Sequence, residues 1–143
     1  MNTATAIAGA PAAKRALLPE GWPRPKGYAN GVAASGRQVY VAGMVGWDAS
    51  GVFVSDDFAA QARVALQNVV AVLRSGGAEP KHIARMTWYV TSKREYLAAG
   101  AEIGKAFREL IGVYDMAMTA VEVTALMEDR AKVEIEVTAV VPA

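Results

Sequence analysis

Chemistry in this chain has to be done without thiols and almost without imidazole. It has no cysteine and one histidine, His82. That removes disulfides, thiolate zinc sites and thiol nucleophiles, and it excludes a histidine-rich metal site within one chain, so no metal is expected. Carboxylates, phenols and indoles remain. Glu134 and Glu136 alternate with Val133, Ile135 and Val137; in a strand this puts both carboxylates on one face, where one could position or activate a water. Tyr28 could donate a hydrogen bond or stack on a planar substrate, and Trp47 and Trp88 could widen an aromatic wall. Each residue type also has a purely structural use. Trp88 sits at an alternating strand position and reads as core. Arg130 in MEDRAK reads as a solvated turn, and Glu136 as an interface or surface charge. Glu122, between Val121 and Val123, could pair with a base across an interface. His82 follows Pro80-Lys81 and reads as exposed and non-catalytic.

The elements that must position these groups follow from periodicity. Residues 16–31 hold three prolines and three glycines, which predicts an extended, irregular lead-in. Val32–Ser35 and Gln38–Val45 read as strands, with Gly36-Arg37 as a tight turn between them. A helix should begin near Ser55–Asp57, where a short polar side chain can cap free N–H groups. Its apolar face is Phe58, Ala62, Ala65, Leu66, Val69, Val70 and Leu73, and Gly76-Gly77 should stop it. Ile83–Thr91 alternates as a strand. Ser92-Lys93-Arg94-Glu95 has the S-x-x-E form of a capping box and predicts a second helix running to about Leu110. Ala117–Val123 and Lys132–Val140 close the chain as strands. The order ββαβαββ implies an α+β fold, a mostly antiparallel sheet with two helices packed on one face. Its other face carries Thr87, Tyr89, Val121, Glu134 and Glu136, a mixture suited to meeting another subunit.

Composition bounds the rest. At 143 residues, 53% hydrophobic and 20% charged, the chain fits one globular domain. A net charge of +1 gives no basis for a nucleic-acid groove. The opening MNTATAIAGAPAAKR has its charges last and lacks a strongly apolar run, unlike a secretory signal. It reads as the start of an N-terminal arm over 1–25, ahead of a domain over 26–143. No stretch approaches a membrane span of roughly 20 apolar residues, and a cytoplasmic location is expected.

An ordered set of segments resembles one known family: GYANG at 27–31, VYVAGMVG at 39–46, AAQARVALQNV at 59–69, RMTWYVTSKREY at 85–96 and AMTAVEVTALMEDRAKVEIEVTAVVP at 117–142. Together they look like the Rid family, the YjgF or L-PSP group of reactive-imine deaminases. The resemblance implies a chorismate-mutase-like fold, a homotrimer and small-molecule pockets between subunits. It also implies a cofactor-independent reaction in which water attacks an imine carbon and ammonia leaves. Tyr28 matches the family's pocket tyrosine, Gly43 the glycine of a Ser-Gly pair, and Glu134 a last-strand glutamate that helps to hold water.

The departures are as specific as the matches. Ala42 stands where the family has the serine of that pair, and Ala101 near a helix asparagine. Met118, followed by Thr119, stands where deaminating members carry a carboxylate-binding arginine. An arginine offers a planar fork of donors that no other side chain reproduces. At about 1.5–3 kcal/mol for each hydrogen bond to a charged group, losing a two-point contact costs about 100-fold or more in carboxylate affinity. Arg130 or Arg85 could supply a displaced cation. The resemblance therefore implies a hydrolase of C=N bonds with altered specificity. A trimeric binding protein that has lost catalysis is the alternative, and an endoribonuclease or translation inhibitor the third reading. Catalytic candidates are Glu134 and Tyr28. The substrate-binding candidates are Gly43, Met118, Thr119, Ala42 and Trp47, with no metal and no cofactor.

Overall fold

The computed structural model describes residues 14–143. Six strands are β1 (Lys14–Leu17), β2 (Gly31–Ala34), β3 (Arg37–Val45), β4 (Ile83–Val90), β5 (Ala117–Glu122) and β6 (Val133–Val141). Three helices are α1 (Phe58–Ser75), α2 (Lys93–Ala98) and α3 (Gly100–Leu110), with a 3-10 turn at Pro80–His82. The main sheet has the order β3-β6-β4-β5. β6 runs antiparallel to both β3 and β4, and β5 is parallel to β4. The fold is α+β, as expected.

Alternation decides which way each strand faces. Val133, Ile135, Val137 and Ala139 of β6 are buried, as are Ile83, Met86, Trp88 and Val90 of β4. They meet the apolar stripe of α1, in which Ala62, Ala65, Leu66, Val69 and Leu73 are fully buried. Asp57 caps that helix, its carboxylate accepting from the Ala60 N–H at 3.0 Å. Gly76 ends it, and Gly77 turns the chain away at φ 75°. Gly46 permits close contact between β3 and α1, because a Cβ there would lie 2.7 Å from the Cα of Gln61.

Three expectations change. The turn at Gly36-Arg37 does not make a hairpin, for β2 pairs with β1 and β3 pairs with β6. Gly36 lies at φ 143°, and a Cβ on it would come within 2.1 Å of the Val141 carbonyl oxygen, so the residue fits chain crossing against β6. The lead-in is not wholly irregular: Lys14–Leu17 forms β1, while residues 1–13 of the expected arm lie outside the described residues. The second helix is divided at Ala99, whose φ of −91° and ψ of 12° leave the helical region just before Gly100, a poor helix former. Ser92 still caps its start, accepting from the Glu95 N–H at 3.1 Å.

Candidate functional site

On the sheet face turned away from the helices, a β-bulge sets the first part of the site. Val41 pairs with Val137 and Met44 with Ile135, so Ala42 and Gly43 together oppose the single residue Glu136. Gly43 leaves room for a carboxylate: a Cβ built on it would lie 1.9 Å from Oε2 of Glu134. The Glu134 side chain therefore rests directly over the Gly43 backbone. Tyr89 stands opposite Glu134 in the register and donates its hydroxyl to Oε1 of Glu136 at 2.5 Å. That bond, more than any burial, holds the Tyr89 phenol above its usual pKa, so it stays a donor. Beside this pair a cavity of about 400 Å³ is lined by Tyr40, Ala42, Arg85, Thr87, Glu136 and Thr138. Thr119 belongs to the same face, being in register with Thr87.

Met118 does not share that face. Its register partner is the fully buried Met86, and it packs against the core on the helix side. There it borders a groove of about 270 Å³ with Trp88, Tyr96, Gly100, Gly104 and Phe107. Adjacent strand residues point opposite ways, so Met118 and Thr119 serve different sides of the sheet. Tyr28, 42% exposed, lines a neighbouring cavity of about 250 Å³ that shares Gly27 and Tyr114 with the groove. Its segment is held to the edge of the sheet by the Ala29 N–H, which donates to the Met116 carbonyl at 2.8 Å.

The candidates thus fall into two halves within one chain. Glu134, Gly43, Ala42 and Thr119 lie on the open face; Met118 and Tyr28 lie on the helix side and at the β5 edge. Trp47 joins neither group, since it packs on Phe53 with ring centroids 5.6 Å apart. Ala101 is exposed on α3 and does not line the groove. Arg130 is taken by Asp56 at 2.9 Å and lies over the Phe53 ring, whereas Arg85 makes no ion pair among the described residues and borders the open-face cavity. His82 supports the turn, its Nδ1 accepting from the Glu79 N–H at 3.0 Å.

Two positioning residues escaped the sequence reading. Gln61 is fully buried; its amide donates to the carbonyls of Ser55 and Arg130 at 2.8 and 3.0 Å and accepts from the Lys132 N–H at 2.8 Å. It fixes the chain entering β6, two residues before Glu134. Asn68 donates to the carbonyls of Val45 and Trp47 at 3.0 and 2.8 Å, which fixes the chain leaving β3. The groove residues Tyr96, Gly100, Gly104 and Phe107 were also missed. Two glycines four apart in one helix were the available signal, because each lowers helix stability by about 1 kcal/mol relative to alanine.

No helix among the described residues is long and apolar enough to cross a membrane. No protein of curated function matches the sequence. Solved structures do. A Rid family protein of unknown function, YyfB from Yersinia pestis, is 32% identical with a TM-score of 0.78, over 90% of this chain and 99% of its own. Rv2704 from Mycobacterium tuberculosis, of the YjgF/YER057c/UK114 family, is 34% identical with a TM-score of 0.59, over 81% and 88% of the two chains. The YjgF gene product of E. coli is 29% identical with a TM-score of 0.66, over 88% and 98%. The family profile described as Endoribonuclease L-PSP matches residues 23–141. With a bulge that seats Glu134 over Gly43 and this match along most of its length, the chain belongs to the Endoribonuclease L-PSP family, the group that includes the Rid and YjgF proteins.

Proposed function

We propose that this protein hydrolyses a reactive imine, or the enamine from which it forms, without metal or organic cofactor, in pockets completed between copies of a homotrimer. The observation that carries the reading is the Glu134 carboxylate resting over Gly43 on an uncovered sheet face. A carboxylate so placed can take a proton from a water as its oxygen attacks the imine carbon. The nitrogen takes that proton to give the neutral carbinolamine, Glu134 then carries the hydroxyl proton to the nitrogen, and the C–N bond breaks as ammonia leaves and the carbonyl forms. Atoms balance with one water consumed and no electron transferred. Tyr28, from the helix-side half, supplies a hydrogen-bond donor or a stacking surface for the substrate.

The division of the candidates by the sheet supports assembly. One chain cannot bring Glu134 and Met118 together, but the open face of one copy against the β5 edge of another can. Methionine at position 118, where an arginine would clamp a carboxylate, favours a substrate less acidic than a small 2-imino acid. Ammonia release should therefore be measured on imines generated in place, 2-iminopropionate by an amino-acid oxidase beside a carboxylate-free aromatic imine made by an amine oxidase, with Glu134→Gln as control. Turnover of an aromatic imine that the control abolishes supports the proposal. Rapid turnover of 2-iminopropionate sinks the altered specificity, and turnover indifferent to Glu134→Gln sinks the mechanism.

A second reading, a binding protein that has lost catalysis, is favoured by Ala42 and Met118, which put apolar groups at two pocket positions. Binding of the same compounds without ammonia release from any of them would select it. The ribonuclease reading carried by the family's description has no support from charge, which is +1 over the whole chain; RNA cleavage abolished by Glu134→Gln would restore it.

A further inference from the structure

The cavity that holds Tyr28 takes two of its walls from one stretch of chain. Leu17 and Leu18, at and just after the end of β1, form one wall, and Tyr28 and Ala29 belong to the other. Tyr114 and Asp115, ahead of β5, add to the lining between them. β1 pairs with β2 in a two-stranded sheet that is separate from the four-stranded one. Two polar ties join this stretch to the body of the fold, and both reach the segment just before β5. The Ala29 N–H donates to the Met116 carbonyl at 2.8 Å. One residue earlier, Oδ1 of Asp115 accepts from Nζ of Lys14 at 2.8 Å. The same ammonium donates to the carbonyls of Lys81 at 2.7 Å and Ile83 at 3.0 Å, where the 3-10 turn passes into β4.

An ammonium has three donors and no acceptor, and here all three are used. The Lys14 side chain is 11% exposed. A cation so far withdrawn from water costs stability unless its donors are met, so Lys14 acts as a clamp and keeps no donor for a substrate. We infer that Lys14 is a positioning residue for the Tyr28 pocket: by fastening β1 to Asp115, Lys81 and Ile83 it sets the separation of the two walls, and with it the width of substrate the pocket takes. β1 is four residues long and exposed over three of them, and a two-stranded ribbon is marginal by itself. Without the clamp it should open locally while the core stays folded. The family profile begins at residue 23, so Lys14 lies outside the family match and its role is not carried over from it. The inference rests on the proposed hydrolase reading only in calling the cavity a substrate pocket; the clamp itself stands on the contacts of Lys14.

Lys14→Met keeps the length of the side chain and removes its three donors. Hydrogen exchange in the full-length variant should speed up by about tenfold or more in β1 and β2, the value of one charge-assisted hydrogen bond, and stay unchanged in β4 and β6. With fluorotyrosine incorporated, the Tyr28 signal, assigned by Tyr28→Phe, should shift, and the Tyr89 signal on the open face should not. For an imine that the parent protein hydrolyses, KM should rise by about tenfold with kcat held within about threefold, because Glu134 lies in the other half of the site. Asp115→Asn, which leaves both carbonyl contacts in place, should give the same changes at smaller size; it decides the matter if Lys14→Met does not fold. Equal acceleration of exchange in all strands would make Lys14 a general stabiliser and overturn the inference. An unmoved Tyr28 signal, or an unchanged KM with β1 released, would overturn it too. No ammonia from any imine, with the exchange and Tyr28 changes as expected, would sink the hydrolase reading and leave the clamp's hold on the cavity standing.

Discussion

Oxygen Oε2 of Glu134 lies where the Cβ of any residue larger than glycine at position 43 would have to be, 1.9 Å from the ideal Cβ position. The bulge that places Ala42 and Gly43 opposite Glu136 creates this space, and the carboxylate fills it. Gly43→Ala should therefore act as a displacement of Glu134. The clashing atoms belong to a flexible side chain that can swing aside, so the stability change should stay within about 1 kcal/mol. Imine hydrolysis should fall by about 100- to 10,000-fold, the range for losing a positioned acid–base group. Measuring kcat and melting temperature together checks it: unchanged kcat in a folded Gly43→Ala protein means that Glu134 is not held here for chemistry.

Much of this arrangement was legible in the sequence, and the reasons are local. Alternation along β6 revealed that Glu134 and Glu136 face away from the core, because a strand's period of two admits no other placement once Val133, Ile135 and Val137 are buried. The caps Asp57 and Ser92 and the stop at Gly76 were likewise written in short-range chemistry. Long-range pairing was not. Nothing near Gly36 signals that β3 takes β6, a hundred residues away, rather than β2 as its partner. The same limit hid the division of the site, since Met118 and Thr119 are neighbours in sequence but face opposite sides of a sheet. Gln61 was missed because a glutamine in an amphipathic helix ordinarily points to water, and only the approach of residues 130–132 gives it partners.

Met118→Arg tests whether the proposed pocket would bind an acid once a cation is supplied. The new side chain must run its methylenes along the groove and carry its guanidinium towards the opening. If the rest of the pocket accepts a 2-imino acid, kcat/KM for 2-iminopropionate should rise by about 100-fold, the value of two charge-assisted hydrogen bonds. Activity on aromatic imines should fall in the same variant, since the cation takes their space. A folded Met118→Arg protein with no gain would mean that a cation at position 118 does not suffice for acid recognition in the proposed pocket.

Gln61 offers a stability prediction that bears on the site. Gln61→Leu keeps roughly the same bulk but leaves the Ser55 and Arg130 carbonyls and the Lys132 N–H without their partner. The expected loss is about 3 kcal/mol, from several buried backbone groups left unsatisfied at once. Because Lys132 enters the strand that carries Glu134, residual activity measured well below the melting temperature should also fall. A urea midpoint equal to that of the parent protein would contradict this account.

His82 gives the fold a pH dependence whose direction is set by its neutral form. Burial first, and then the nearby Lys81, lower its pKa below the ordinary 6.5; Lys14 and Arg37 push the same way and Glu79 opposes them. The neutral ring accepts from the Glu79 N–H through Nδ1, and the imidazolium cannot. With the folded pKa below the unfolded one, the unfolded chain binds more protons between the two values, and stability rises with pH across that window. The contribution is complete above the unfolded value and is lost as pH falls through it towards the folded one. His82→Gln removes the titration, so the parent protein should melt higher than the variant at about pH 7.5, with the gap closing by about pH 5. A gap that stays constant over that range would mean that the Nδ1 contact does not control the stability of the turn.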